Sequence, residues 1–312
     1  MPIPLLCTQI GCWDNQFNQN MGLDLNAVRY LLRARKQGVD FGDVLMVGRL
    51  LLDVFPAKVA ALLQQHGLPC DPYLKPGTEC RYAEPFFRCL GARSVSSMDA
   101  SDYEGATFVH DLNQPVPAQW RERFDTVYDG GTLEHVFNFP VALRNCMEMV
   151  KAEGHLFLDA PGNNWFGHGF YQFSPELFYR ALSEDNGYEV VEMIAHATGP
   201  YSQWYRVADP RAIQSRVELI SWTLIHLLVH ARRKQVIEIF RQMPQQSDYA
   251  ATWRAAPSQQ HPVKTEMNVF MKMGGRRFPG LAHLLKAAGT GWNFYRSHSL
   301  RNRRFFIPIP KE

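Results

Sequence analysis

Three aspartates each close a short apolar run: Asp99 after Ser94–Met98, Asp111 after Phe108–His110, and Asp129 after Phe124–Tyr128. Runs of that length predict strands. A carboxylate at a strand end can accept two hydroxyl hydrogen bonds, the use it has at the ribose of a bound nucleotide. Gly48 follows a similar run, Phe41–Val47, and Gly130-Gly131 follows Asp129; glycine lets backbone come close to a ligand. His135 and His168 titrate near neutrality and are the candidate proton acceptors. Asn163, Asn164, Trp165, Tyr171 and Gln172 accompany His168 just past another run, His155–Leu158. Amide, imidazole and aromatic groups together suit the wall of a pocket for a polar molecule. Each residue also has a plainer use: the aspartates as turn caps, Glu134 and His135 as pins of a helix start, and the aromatics as cover for a sheet end.

These groups act together only if strands end side by side. Phe124–Pro161 supplies that geometry: strand, polar turn, helix, glycine turn, strand. Val141, Leu143, Met147 and Val150 stand at roughly helical spacing, and Glu153-Gly154 stops the helix. Two strands joined by a helix in about forty residues form a βαβ unit, whose ligands sit beyond the carboxyl ends of the strands. Further helices are expected over Leu23–Arg35 with Asp24 as cap, over Tyr82–Leu90, and over Ser174–Ser183, entered by Ser174-Pro175. Leu50–His66 is expected as one helix with Val54, Ala57, Ala61 and Leu62 inside and Pro56 near its first turn. Tyr188–His196 and Leu224–Ala231 are the sixth and seventh strands. Gln245–Lys264 reads as a linker or loose loop, and Leu281–Ala288 as a short helix.

The segment FDTVYDGGTLEHVFNFPVALRNCMEMVKAEGHLFLDAP, with HGFYQFSPEL after it, resembles the second half of class I S-adenosylmethionine-dependent methyltransferases that act on small molecules, quinones and sugars. The resemblance spans about Phe41–Lys234. It implies an α/β fold: a Rossmann-like class I methyltransferase sheet of seven strands with the last antiparallel. An N-terminal helical segment (1–40) precedes that domain (41–234), and a basic, partly helical extension (235–312) follows. The implied cofactor is S-adenosylmethionine, with Gly48, Asp99, Asp111, Leu112, Asp129 and Gly130 around it: Asp99 at the ribose, Asp111 at the adenine amino group, Leu112 against the ring. The implied reaction is O- or N-methylation of a polar small molecule or glycan, with His135 or His168 near the acceptor. The chain departs from the family at the glycine-rich first turn, where Val47-Gly48-Arg49-Leu50-Leu51 keeps a single glycine. Arg49 puts a cation where the donor is cationic, or pairs with the donor's carboxylate or an anionic substrate. That departure supports the alternative of a methyltransferase fold without the cofactor, serving as a binding or assembly module. Some relatives hold a divalent ion with an ExxEH segment; here the segment is Gly131-Thr132-Leu133-Glu134-His135, so no metal is expected, although Asp129 stands on the right strand parity to replace the missing glutamate.

Composition narrows the class further. The 46% apolar share allows a sizeable core in a chain of 312 residues. Six cysteines show no CxxC pairing and no zinc spacing, as expected of reduced thiols. The start lacks a convincing secretory pattern, and Val217–Val229 is too short and too interrupted to cross a bilayer, so a cytoplasmic protein is expected. Charge is uneven: Ala231–Glu312 holds 15 Lys+Arg against 4 Asp+Glu, and the first 230 residues hold 18 against 26. A basic tail on an acidic body suits docking onto that body or an anionic partner, either phosphate, nucleic acid or a membrane surface. A nucleic-acid methyltransferase is the third reading, without a recognisable nucleic-acid module to support it.

Overall fold

The computed structural model describes residues 22–75, 78, 80–254 and 291–310. Its centre is a nine-stranded sheet. In chain order the strands are β2 (Asp43–Val47), β4 (Ser94–Asp99), β5 (Phe108–Val109), β6 (Phe124–Asp129), β7 (Val150–Asn163), β8 (Tyr188–Ala197), β9 (Trp204–Val207), β10 (Ile225–Arg233) and β11 (Phe306–Pro308). Across the sheet they run β5-β4-β2-β6-β7-β10-β8-β9-β11. The first five are parallel neighbours, and β10 is antiparallel to both β7 and β8. All seven expected strands are present, and the last of them is antiparallel and inserted between the fifth and sixth. Strand order reverses at β2, which lies between β4 and β6. In open α/β sheets such a reversal marks a crevice beyond the carboxyl ends of the strands, here β2 and β6, where ligands bind.

Both faces of the sheet are covered. On one, α1 (Leu25–Lys36), α2 (Pro56–Gln65) and α3 (Glu84–Cys89) cover Val44, Met46, Tyr128, Phe157, Ile194 and Leu228. On the other, α4 (Phe139–Met149) and α5 (Pro175–Ala181) cover Leu45, Val47, Val127, Leu156 and Leu158. Odd and even strand residues divide between the two cores, as a period of two requires. The caps follow their residue types. Asp24 Oδ1 accepts from the Ala27 amide at 2.8 Å, and Ser174 accepts from the Leu177 amide. Val28, Leu31 and Leu32 are wholly buried, worth about 1.5–3 kcal/mol each by area.

Four expectations need correction. Leu50–His66 is not one helix. Leu51–Leu52 is a short strand (β3) parallel to β1 (Gly22–Leu23), and α2 starts only at Pro56, which lacks the amide hydrogen a continuing helix needs. The later start changes the phase: Val59 and Leu63 are buried, while Ala57 and Ala61 are exposed. Gln245–Lys264 is not all loop, because Ser247–Arg254 forms α6; there Ser247 donates its amide to Glu176. The sheet has two strands beyond seven, since the C-terminal segment returns and pairs Phe306–Pro308 with β9. Strand β7 also begins before Gly154 rather than after it. The expected helix over Leu281–Ala288 lies outside the described residues. Among the described residues no helix is long and apolar enough to cross a membrane, and Cys70, Cys80, Cys89 and Cys146 are free thiols.

At the sheet end opposite the crevice, His155 Nδ1 meets His230 Nε2 at 3.0 Å, and His230 stacks on Phe157 with ring centroids 4.2 Å apart. Burial, with His155 next to it, pushes the pKa of His230 down to about 3; burial likewise lowers that of His155. Both rings are therefore neutral when folded. The unfolded chain binds these protons near pH 6.5 and the folded chain does not, so stability falls as pH drops through that value. For His230 alone the loss is about 2 kcal/mol between pH 7 and pH 5. Urea titrations at the two pH values should show it, and His230→Phe should flatten the slope.

Candidate functional site

The sheet reversal sets Gly48, Asp99, Asp111 and Asp129 at neighbouring strand tips. Met98 pairs with Val47 and the Gly48 amide donates to the Met98 carbonyl at 2.7 Å, so Asp99 stands next to the Gly48 turn. Its carboxylate is partly exposed and has no hydrogen-bond or ion-pair partner among the described residues. Asp111 is exposed, and its Oδ1 accepts from the Asn113 amide (2.9 Å) and side chain (2.7 Å). Those bonds hold its pKa below the usual carboxylate value. Leu112 is buried in the main core, so the structure gives it a packing role.

Side chains of the protein itself lie close to both glycines. Gly48 has φ +79°, and a Cβ there would lie 2.8 Å from Thr132 Oγ1, which is bonded to the Val47 carbonyl. A Cβ on Gly130 would meet Leu50 and Tyr128 at 3.0 Å. Leu50 is buried and therefore lies across the tip of β6. Arg49 turns away from the strand tips. Its guanidinium pairs with Glu84 at 2.8 Å, donates to the Glu104 carbonyl at 2.7 Å and lies over the Tyr82 ring. It ties the start of α3 to the loop after β4, and Glu84 balances its charge.

Asp129 is wholly buried. Oδ1 accepts from the Thr132 amide at 3.1 Å, and Oδ2 has no partner among the described residues. Burial, then the nearby Glu134 charge, pushes its pKa well above the ordinary carboxyl value, so it favours keeping its proton. Glu134 is buried as well. Its Oε1 lies 3.5 Å from His168 Nε2, and Oε2 has no partner among the described residues. His135 and His168 meet edge to face at 4.8 Å. Partial burial, and His168 beside it, hold the His135 pKa below its usual value against the pull of Glu134.

From the sequence no metal is expected, with Asp129 as the residue on the right strand parity to replace the missing glutamate. The structure instead brings His168, from the loop after β7, to Glu134 and His135, with one donor atom from each within 4.8 Å of the others. Two imidazoles and a carboxylate suit a first-row divalent ion, and the unmatched Glu134 oxygen is the donor such an ion would satisfy. Equilibrium dialysis against Zn²⁺ should find one ion per chain, and His168→Ala should weaken uptake at least tenfold. Uptake unchanged by that substitution would place the ion elsewhere.

Three features carried no sequence signal. Asn145 in α4 is wholly buried. Its Oδ1 accepts from the Val116 amide at 2.9 Å, and its Nδ2 donates to the carbonyls of Leu112 (3.1 Å) and Gln114 (2.8 Å). It thus holds the loop that follows Asp111. Thr132 fills the space under Gly48, as above. His226 Nδ1 lies 2.9 Å from Asp159 Oδ1, a pairing between strands that only the sheet register reveals.

Strand order and crevice together define the class: a doubly wound α/β sheet of the class I methyltransferase type, extended at one edge. No family model matches the chain, and no curated protein matches it. Among solved structures it is similar to the Burkholderia thailandensis 1,6-didemethyltoxoflavin-N1-methyltransferase with bound 1,6-didemethyltoxoflavin and S-adenosylhomocysteine, at 14% identity over 68% of this chain and 80% of that one, TM-score 0.37. It is also similar to the N-methyltransferase NodS of Bradyrhizobium japonicum WM9 in complex with S-adenosylhomocysteine, at 14% identity over 70% and 91%, TM-score 0.37. A third is a methyltransferase of Bacillus halodurans C-125, so described with reserve in its name, at 14% identity over 67% and 100%, TM-score 0.35. These are likenesses of fold, and the class stated here rests on the strand order.

Proposed function

We propose that the chain is an S-adenosylmethionine-dependent methyltransferase acting on a polar small molecule or glycan. The observation that carries this reading is the unpartnered carboxylate of Asp99, set at a parallel strand tip beside the sheet reversal. Vicinal hydroxyls would supply it with two partners. Asp99 would hold the ribose, and the unbonded oxygen of Asp111 would face the adenine edge. The cofactor, when bound, supplies an electrophilic methyl group. The protein's part is to orient the acceptor and take up its proton. His135 and His168, whose rings meet at 4.8 Å, are the groups proposed to lie near the acceptor.

A second reading is favoured by Leu50, which packs against Gly130 where a ligand's amino-acid end would approach, and by Thr132 under Gly48. In that reading the sheet persists as a binding or assembly module without the cofactor. Calorimetric titration with S-adenosylhomocysteine separates the two. A one-to-one binding isotherm supports the enzyme. No heat and no thermal stabilisation up to millimolar ligand support the module.

A further inference from the structure

On the face covered by α1, at the same end of the sheet, the pair His226–Asp159 belongs to a polar cluster that the proposed cofactor site does not use. His226, the second residue of β10, pairs in register with Pro161, so Asp159 is its diagonal neighbour on one face. Their Nδ1 and Oδ1 atoms are 2.9 Å apart. A carboxylate acceptor fixes the hydrogen on Nδ1, which leaves Nε2 of the neutral ring as a bare acceptor. His196 of β8 lies directly opposite His226, and the two rings stack 5.3 Å apart, 9° from parallel. His196 Nδ1 faces the Ala197 carbonyl at 2.9 Å. A carbonyl only accepts, so that nitrogen carries the hydrogen and Nε2 is again a lone pair.

His196 Nε2 is buried with no partner among the described residues, and so is Tyr128 Oη on the same face of β6. His226 is about a quarter exposed, at 25%, and connects the pair to solvent. Trp165 stands perpendicular against its ring at 4.7 Å, with Nε1 tied to the Ile225 carbonyl. Ser202 links His196 to Asn26 at the start of α1, with both contacts at 3.4 Å. Two unmatched polar atoms buried on one face are rare in native proteins and point to an absent group.

We propose that this cluster binds two neighbouring hydroxyl groups of a sugar-like molecule, one donating to Nε2 of His196 and the other to Nε2 of His226, with the phenol of Tyr128 donating to one of their oxygens; His226 is the residue set to receive the hydroxyl proton, and Asp159 positions it. The chemistry selects the ligand. Two lone pairs exclude an anion, and the phenol hydrogen needs an acceptor, which an ammonium lacks. A hydroxyl offers both a donor and an acceptor. Phe166 and Phe170, in the loop after β7, and Trp222, just ahead of β10, are exposed around the same sheet end. They offer flat apolar surfaces for the face of a pyranose ring. The site names the acceptor class of the proposed methyl transfer and rests on that reading only for what happens to the hydroxyl after it binds.

The charged and titratable groups about His226 are Asp159 of β7, His196 of β8, Asp24 ahead of α1 and Glu134 beyond β6; Tyr128 of β6 has Asp159 and Asp24 as charged neighbours in common with it. Burial by itself would lower the His226 pKa; the Asp159 carboxylate, with Asp24 and Glu134 behind it, outweighs burial and raises it. Burial and His226 together lower that of His196.

The test uses the full chain labelled with ¹⁵N at histidine, with imidazole nitrogens followed by NMR during titration with the methyl glycosides of galactose, mannose and glucose. At least one glycoside should shift the Nε2 signals of His196 and His226 with a common saturation curve. Tyr128→Phe, which removes one hydroxyl and little else, should weaken that binding several-fold, and His226→Gln at least tenfold. Asp159→Asn should move the His226 titration midpoint to lower pH, an effect that a packing role for Asp159 would not produce. If no glycoside moves either signal, or the midpoint stays in place in Asp159→Asn, the proposal is overturned. S-adenosylhomocysteine is titrated in parallel. Glycoside shifts without cofactor binding sink the methyltransferase reading and leave this site standing; cofactor binding without glycoside shifts does the reverse.

Discussion

Replacing Asn145 with leucine should lower the stability of the protein by about 3 kcal/mol or more. The side chains are close in size, so the loss comes from hydrogen bonds rather than from a cavity. Asn145 satisfies one buried amide and two carbonyls in the segment from Leu112 to Val116. Leucine leaves the Val116 amide and the Leu112 carbonyl without a partner, while the Gln114 carbonyl keeps its contact with His110 at 3.1 Å; each buried, unsatisfied group costs roughly 1–3 kcal/mol. The segment also carries Asp111 and, through Asn113, meets Asn138 ahead of α4. Amide exchange should therefore speed up at Val116 and Asn138 before the rest of the sheet responds. Equilibrium urea unfolding measures the first effect and hydrogen exchange the second. A change within about 0.5 kcal/mol, as for an ordinary surface substitution, would show that water replaces the asparagine at no cost.

Asp99→Ala should leave the ligand-free protein nearly unchanged and remove most of its response to S-adenosylhomocysteine. The carboxylate has no partner to lose within the described residues, so stability should stay within about 0.5 kcal/mol. Two charge-assisted hydrogen bonds to ribose hydroxyls are worth about 3 kcal/mol together, or roughly a hundredfold in affinity. At a ligand concentration 100 times the wild-type dissociation constant, the wild type gains about 2.7 kcal/mol and the variant about 0.4 kcal/mol. Thermal unfolding with and without ligand reads both numbers. Equal stabilisation of the two proteins would remove Asp99 from the ribose and with it the main support for the proposed activity.

Much of this architecture was legible in the chain because its signals are local. Asp24 and Ser174 announce their helices, and the apolar runs ending in Asp99, Asp111 and Asp129 mark strands with acidic tips. Strands β1, β3, β9 and β11 were not legible. They are two to four residues long, too short for alternation to register, and they exist because distant backbone is there to pair with them. The site divides along the same line. Residue types at strand ends could be read, but their surroundings could not. Gly130 reads as room for a ligand, but its neighbour Leu50 comes from a different strand–loop junction that no local signal announces. Glu134 looked like a helix anchor, and its burial beside His168 depends on how the loop after β7 folds back. The pair Asp159–His226 depends on register between strands far apart in sequence, which no spacing rule contains.

The last strand of the sheet has a consequence for biogenesis. Trp204–Val207 obtains its outer partner only from Phe306–Pro308, nearly a hundred residues later, and Ile309 adds a further bond to the Trp204 carbonyl. During vectorial synthesis that edge emerges from the ribosome long before its cover does. Until the cover arrives, its amides and carbonyls are open to strands of neighbouring nascent chains. Any proteolytic cut between the two segments recreates the same hazard in the finished protein.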